Sequence, residues 1–197
     1  MTPHDEFREA LARLHQAKDA AYRDAWKRRG EVISILANIA RKVDGLDGGP
    51  VTPDEPRFDT AADLLVYCLK YQAYLADLHS GTAARLFGGS GFRPPYSDVP
   101  AGFEVLLSRA DLRPLTVASQ PVTEAAERVV SQFGELEACF HELTSTRPVP
   151  VRLDRLIALT DAAVALAGTF RREYAQTYAG LISSCLAMGE GGAADAR

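Results

Sequence analysis

Six polar residues, Asp59, Asp63, Tyr67, Lys70, Tyr74 and Asp77, recur through a stretch that is otherwise Leu, Val, Ala and Cys. On a helix that turns about 100° per residue, all six fall within about 80° of one another. Asp59 and Asp63 are one turn apart, so both carboxylates can reach one divalent cation. Oxygen ligands are what a hard ion prefers, which makes Mg²⁺ or Mn²⁺ the expected metal.

The preceding segment carries a matching stripe, Glu31, Ser34, Asn38, Arg41 and Lys42. Asn38 and Lys42 share a helix face. Packed antiparallel, the two stripes would enclose a metal and an anionic group. Asp63 is then the principal metal ligand, with Asp59 and Glu31 as helpers. Arg41 and Lys42 hold phosphates, because cations with Mg²⁺ are the usual partners of phosphate oxygens. Asn38, Tyr67 and Lys70 hydrogen-bond around the site. Two plainer readings use the same residues. The stripe is a solvent face, or Asp63 bridges to Lys42 or Arg41 and only fixes helix packing.

Trp26 is the single tryptophan, in Ala25-Trp26-Lys27-Arg28-Arg29-Gly30. It can stack on a base at the mouth of such a site, with the three cations supplying charge. It can equally anchor the end of a helix. The four histidines, His4, His15, His79 and His141, are scattered and read as surface or structural groups. Cys68, Cys139 and Cys185 form no CxxC pair and no Cys/His metal spacing, so neither a disulfide framework nor a zinc module is expected. Their number and spread fit a reducing cytoplasm. No GxSxG, Walker A loop or strand-borne GxGxxG occurs.

The elements that must position these residues are helices. Apolar residues recur at three-and-four spacing in a first helix over 5–29 (Phe7, Leu11, Leu14, Ala21, Tyr22, Ala25). The same spacing gives a second over 31–46 (Val32, Leu36, Ile39, Val43, Leu46). A Pro-rich loop over 47–57 precedes a third helix from Asp59 or Thr60 to His79. That helix is apolar around most of its circumference, so it should be the central one. Residues 88–100 form a Gly- and Pro-rich loop or lid. A short helix follows over 103–110, and Thr123 caps another that reaches Leu143 with Ala126, Val129, Phe133, Leu136 and Phe140 inward. A last long helix over 152–188 should bend at Gly168 or Gly180. The expected fold is all-α, one bundle of at least five helices. Residues 1–80 hold the candidate site, 101–188 supply packing or dimerisation, and 189–197 form a frayed tail. A faint two-fold echo, a helix and then a very apolar helix, links 31–79 with 124–170.

The chain has 197 residues, enough for one domain, and a net charge of -4. That balance makes nucleic acid an unlikely principal partner. No apolar run is long enough to span a membrane, and the opening residues lack the basic-then-apolar pattern of a secretory leader. The apolarity of the third helix and the length of the last point to a homodimer, whose interface would cover them.

The segments Ala21-Tyr22-Arg23-Asp24-Ala25-Trp26-Lys27-Arg28-Arg29-Gly30, Asn38-Ile39-Ala40-Arg41-Lys42-Val43 and Asp59-Thr60-Ala61-Ala62-Asp63-Leu64-Leu65-Val66-Tyr67 resemble one group of phage and bacterial proteins. These are the nucleotide-modification-associated helical domains, distant relatives of MazG-like all-α NTP pyrophosphohydrolases. The resemblance covers residues 20–78. It implies a helical bundle, often oligomeric, that binds a nucleotide through Mg²⁺ and hydrolyses a phosphoanhydride with a metal-activated water. In the MazG-like pattern an ExxE pair and a later ExxD pair hold the metals. Asp63 matches the final Asp, while Thr60 stands at its partner position. Asn38 and Arg41 or Lys42 stand where the first pair would lie. Thr60 cannot serve as an anionic ligand, so binding is expected to outlast catalysis. The alternative is a non-catalytic interaction or dimerisation module.

Overall fold

The computed structural model describes residues 1–47, 55–140 and 146–188. Among them are nine α-helices and no strand, so the fold is all-α. They are α1 (Pro3–Tyr22), α2 (Ala37–Asp47), α3 (Glu55–Leu78), α4 (Ser80–Phe87), α5 (Pro100–Arg109), α6 (Pro114–Val117), α7 (Val122–Glu137), α8 (Val149–Glu173) and α9 (Ala175–Ala187). Leu143, His141, most of the Pro-rich loop and the expected tail lie outside the described residues.

Helix α3 is the axis. Phe58, Leu64, Leu65, Cys68, Tyr71 and Leu75 are fully buried on successive faces. Each such side chain contributes roughly 1.5–3 kcal/mol through removal from water. The surrounding cover comes from α1, α2, α4, α5, α8 and α9, all packed on α3. The chain itself covers this helix, which removes the packing argument for a dimer. The two-fold echo corresponds to two helical hairpins, α2–α3 and α7–α8, stacked with α3 on α8 and α2 on α7.

Several boundaries differ from the sequence reading, each for a local reason. Helix α1 begins at Pro3 because Thr2 and Asp5 cap it reciprocally: the Asp5 N–H donates to Thr2 Oγ1 at 3.2 Å, and the Thr2 N–H donates to Asp5 Oδ2 at 3.1 Å. It stops at Tyr22, followed by a 3₁₀ turn over Arg23–Trp26, so Ala21 and Ala25 are exposed and do not extend the apolar stripe. Helix α3 starts at Glu55 with Pro56 in its first turn, where a missing N–H costs nothing. His79 ends α3 and caps the unanticipated α4, its Nδ1 accepting the Thr82 N–H at 3.1 Å. Helix α7 starts after Pro121, with Thr123 inside it rather than at its cap, and Ala125 rather than Ala126 is the buried alanine.

The long C-terminal pattern breaks at Tyr174, with φ −128° and ψ 53°, rather than at either glycine. Gly168 is a packing residue instead. A Cβ there would lie 2.5 Å from the Pro114 carbonyl oxygen, so only glycine lets α6 sit on α8. Loop 88–100 is tied down at several points. Asp77 accepts the Tyr96 and Ser97 N–H groups at 2.7 and 2.9 Å, Arg109 donates to the Leu86 and Gly88 carbonyls, and Tyr96 stacks on Phe87 at 4.3 Å.

Residues 31–36 form a π-helical turn after Gly30, whose φ of 78° is in the left-handed region. The wider turn rotates the apolar face. Ile35 and Leu36 go inward, while Val32, expected inside, is 59% exposed and Ile33 is 64% exposed.

His15 is buried and stacks on Phe103 at 3.9 Å, and its Nδ1 has no partner. Burial, with the Lys70 charge nearby, pushes its pKa down from 6.5 to about 4. The unfolded chain therefore binds the extra proton first. Stability is full above pH 6.5 and falls as pH drops towards 4, by up to about 3 kcal/mol from this group. Urea unfolding of wild type and His15→Gln across that window should give a flatter pH dependence in the variant; parallel curves would remove the assignment.

Candidate functional site

Helix α3 carries its polar residues into the packing. Asp63 is only 8% exposed. Its Oδ2 accepts from Lys42 Nζ of α2 at 2.5 Å, and its Oδ1 is ion-paired with Lys18 of α1. One carboxylate thus faces two ammonium groups, and the three elements meet there. Two turns further along α3, Tyr71 donates its hydroxyl hydrogen to Glu31, whose Oε2 also accepts from Arg152 of α8 at 2.9 Å. Lys70 pairs with Asp19 of α1 at 3.0 Å, and its Nζ lies 4.8 Å above the Trp26 ring. Burial holds the Lys70 pKa below its ordinary value, and Asp19 pulls it back. Gln72 donates to the Thr160 hydroxyl of α8 at 2.9 Å.

The expected metal ligands do not converge. Glu31 meets α3 at Tyr71, eight residues and so about 12 Å along that helix from Asp63. Both oxygens of each are already engaged by cations or a phenol. Asp59 lies on the exposed side one turn from Asp63. Among the described residues no three His, Cys, Asp or Glu side chains form a group that could hold a metal ion. The donor set around Asp63 suits fixed ammonium groups rather than Mg²⁺, and the interhelical bridge to Lys42 is the reading that the geometry supports.

The phosphate-holding set also divides. Lys42 belongs to the Asp63 clamp. Tyr67 is half-buried against the core. Trp26 is 5% exposed and packs edge-on against Tyr74 at 6.4 Å, which makes it an anchor rather than a stacking platform. Asp77 caps loop 88–100. Asn38 and Arg41 face elsewhere. Asn38 donates to the Ser34 carbonyl at 2.8 Å and accepts from Arg41 at 3.3 Å. These two line an open concavity with Arg28, Arg29 and Ile33, of about 440 Å³. The Arg29 N–H donates to Ser34 Oγ at 3.0 Å, which holds the loop against the π turn. Among the described residues no acidic side chain lines the hollow; Asp24 pairs with Arg28 at 3.2 Å from outside it.

The sequence reading missed Lys18, Asp19, Tyr71 and Arg152. Arg152 carried a usable signal, a lone cation within an apolar helical pattern, which requires a buried acid. Lys18 and Asp19 had none, because an adjacent Lys-Asp pair is ordinary on any exposed helix. The cysteines offer no nucleophile, since burial pushes Cys68 up to about 12 and Cys185 up to about 11.

Removing the Asp63 charge leaves two lysines facing each other in a largely covered site. Asp63→Asn should lower stability by about 1–3 kcal/mol, less than for a fully buried pair because Lys18 is partly solvated. Chemical denaturation with and without millimolar Mg²⁺ checks it: the loss should be the same in both, whereas Mg²⁺ stabilisation of wild type that vanishes in the variant would restore the metal site. Compared with protein-family models, with curated proteins and with solved structures, the chain matches none.

Proposed function

We propose that the protein binds a phosphorylated small molecule without turning it over, nucleotides being the class to test first. The observation that carries this reading is the hollow beside the π turn, where Arg28, Arg29 and Arg41 meet the Asn38 amide with no acid among the lining residues. Guanidinium groups pair with phosphate oxygens two at a time, which gives both strength and orientation. Ile33, exposed on the same lining, offers an apolar surface to the rest of the ligand. π turns recur at functional sites, and here the turn is what exposes that residue.

Hydrolysis is not part of the proposal. A phosphoanhydride needs carboxylates to carry the metal and position a water. Asp63 and Glu31 are each neutralised by cations within the fold. Arginine at neutral pH cannot act as a base.

Calorimetry with ATP, ADP, AMP, pyrophosphate and inorganic phosphate, each with and without Mg²⁺, tests the reading. Binding should weaken with salt, and Arg41→Ala or Arg29→Ala should each reduce affinity about tenfold, or about 1.4 kcal/mol. Asp63→Asn should leave affinity unchanged, and pyrophosphate release should be absent. No binding by any of these anions overturns it.

A second reading, an interaction module, draws on Val32 and Ile33, adjacent aliphatic side chains exposed beside the arginines. A second copy of this chain is the partner to test. Light scattering at about twice 21.3 kDa, reverting to a monomer in Val32→Ser/Ile33→Ser, supports it.

A further inference from the structure

A cleft of about 240 Å³ opens onto the middle of α3, between α4, α5 and α8. Its walls are mainly apolar, with Leu69, Leu86, Leu106, Ile157 and Val164 among them. Gln72 and Thr160, 6% and 5% exposed, form its floor. The volume is below the roughly 300–1,000 Å³ of sites for drug-sized ligands, so an occupant has about the size of a single ring.

The Gln72 amide is oriented by its partner. The Thr160 hydroxyl gives its hydrogen to the Leu156 carbonyl at 2.7 Å, so its oxygen has to accept. Gln72 therefore presents Nε2 to it, at 2.9 Å, and the amide oxygen occupies the other prong. That oxygen accepts no hydrogen bond from any described residue. Nor is it sealed in the packing: the fully enclosed side-chain atoms without a partner belong to His15, Arg152 and Tyr178, whereas the Gln72 oxygen keeps contact with the cleft. Side-chain polar atoms this deep are nearly always paired, so the oxygen marks the place of a donor.

The cations of the lining are already engaged. Arg85 pairs with Asp154 at 2.6 Å, and Arg109 donates to the Leu86 and Gly88 carbonyls at 2.6 and 3.0 Å. Asp111 and Asp161 complete the polar lining. An anionic ligand thus finds no free cation. An ammonium group at the floor would bring three N–H groups to one acceptor among apolar walls, which is costly.

We propose that this cleft binds a small neutral phenol, its O–H donating to the Gln72 amide oxygen and its ring lying against the leucines. A phenol supplies one donor on a compact apolar body, and its acidic O–H is a stronger donor than that of an aliphatic alcohol. A hydrocarbon or an ether of the same shape would leave the amide oxygen unpaired. The cleft is separate from the arginine-lined hollow, so this assignment stands independently of the phosphate reading.

Calorimetry of the full chain with phenol, 3-methylphenol and 4-methylphenol tests it, with toluene and methoxybenzene as counterparts of similar shape that lack the donor. At least one phenol should bind, about tenfold or more tighter than either counterpart. Gln72→Met, of similar volume, should bring that phenol to within about twofold of toluene while leaving toluene unchanged. Ala110→Phe, on the half-buried wall and away from the hydrogen-bonded floor, should abolish binding of every ligand and serves if Gln72→Met fails to fold. Absence of binding by all three phenols at millimolar concentration overturns the proposal. So does equal binding of toluene or methoxybenzene, or phenol binding that is unchanged in Gln72→Met or in Ala110→Phe.

Discussion

The burial of α3 is the constraint on which the rest of the molecule depends. A helix of 24 residues that is apolar on most of its faces cannot rest on the surface of a small domain. It has to be enclosed, and enclosing it requires helices on every side. The chain supplies α8 and α2 as the principal neighbours, then α1, α4, α5 and α9 as further cover. Glycines appear where the cover comes closest, as at Gly102, where a Cβ would lie 1.8 Å from the Tyr96 carbonyl oxygen.

Enclosure also decides the fate of polar groups on α3. Each must find a partner on a neighbouring helix, because a buried charge or amide left alone is costly. Asp63 takes α1 and α2, Lys70 takes α1, Tyr71 takes Glu31 and through it α8, and Gln72 takes α8. The packed helices are apolar and could slide or rotate on one another. The clamps admit one register, in keeping with the role that buried polar contacts play in selecting a single arrangement. Replacing them by apolar groups would cost little net stability and much of that specificity.

A body locked in this way leaves its chemistry to the rim. The π turn after Gly30 and the break at Tyr174 are two of the places where helical register is lost. Each lies beside a concavity lined by charged side chains. At the first, the wider turn swings Val32 and Ile33 outward and leaves Arg28, Arg29 and Arg41 around a hollow. At the second, the change of direction turns α9 back against α1, with the Tyr178 ring stacked on Phe7 and Phe58. Irregular backbone on a rigid scaffold is where binding groups are easiest to arrange, since regular helices spend their side chains on packing.

Amphipathic periodicity in the sequence determined the helical class, the central place of α3 and the approximate span of most helices, because burial of an apolar stripe is a local property of spacing. The core positions Phe7, Leu11, Leu14, Ile39, Val43, Phe133 and Leu136 are legible for that reason. The polar stripe on α3 was legible as a set but not as a role. A carboxylate one turn from another looks alike whether it faces a metal or two lysines. What separates the cases is the presence of Lys18, Lys42 and Asp19, which come from segments up to about fifty residues away and were brought in by packing. The π turn was hidden because a single inserted residue per turn leaves no compositional mark, yet it moved Val32 from the core to the surface. Tertiary structure alone made Asp63 and Glu31 into clamps, because only the packed neighbours fix which charges meet. It also brought Glu6, at the start of α1, into one cleft with Arg171 and Tyr178 from the other end of the chain.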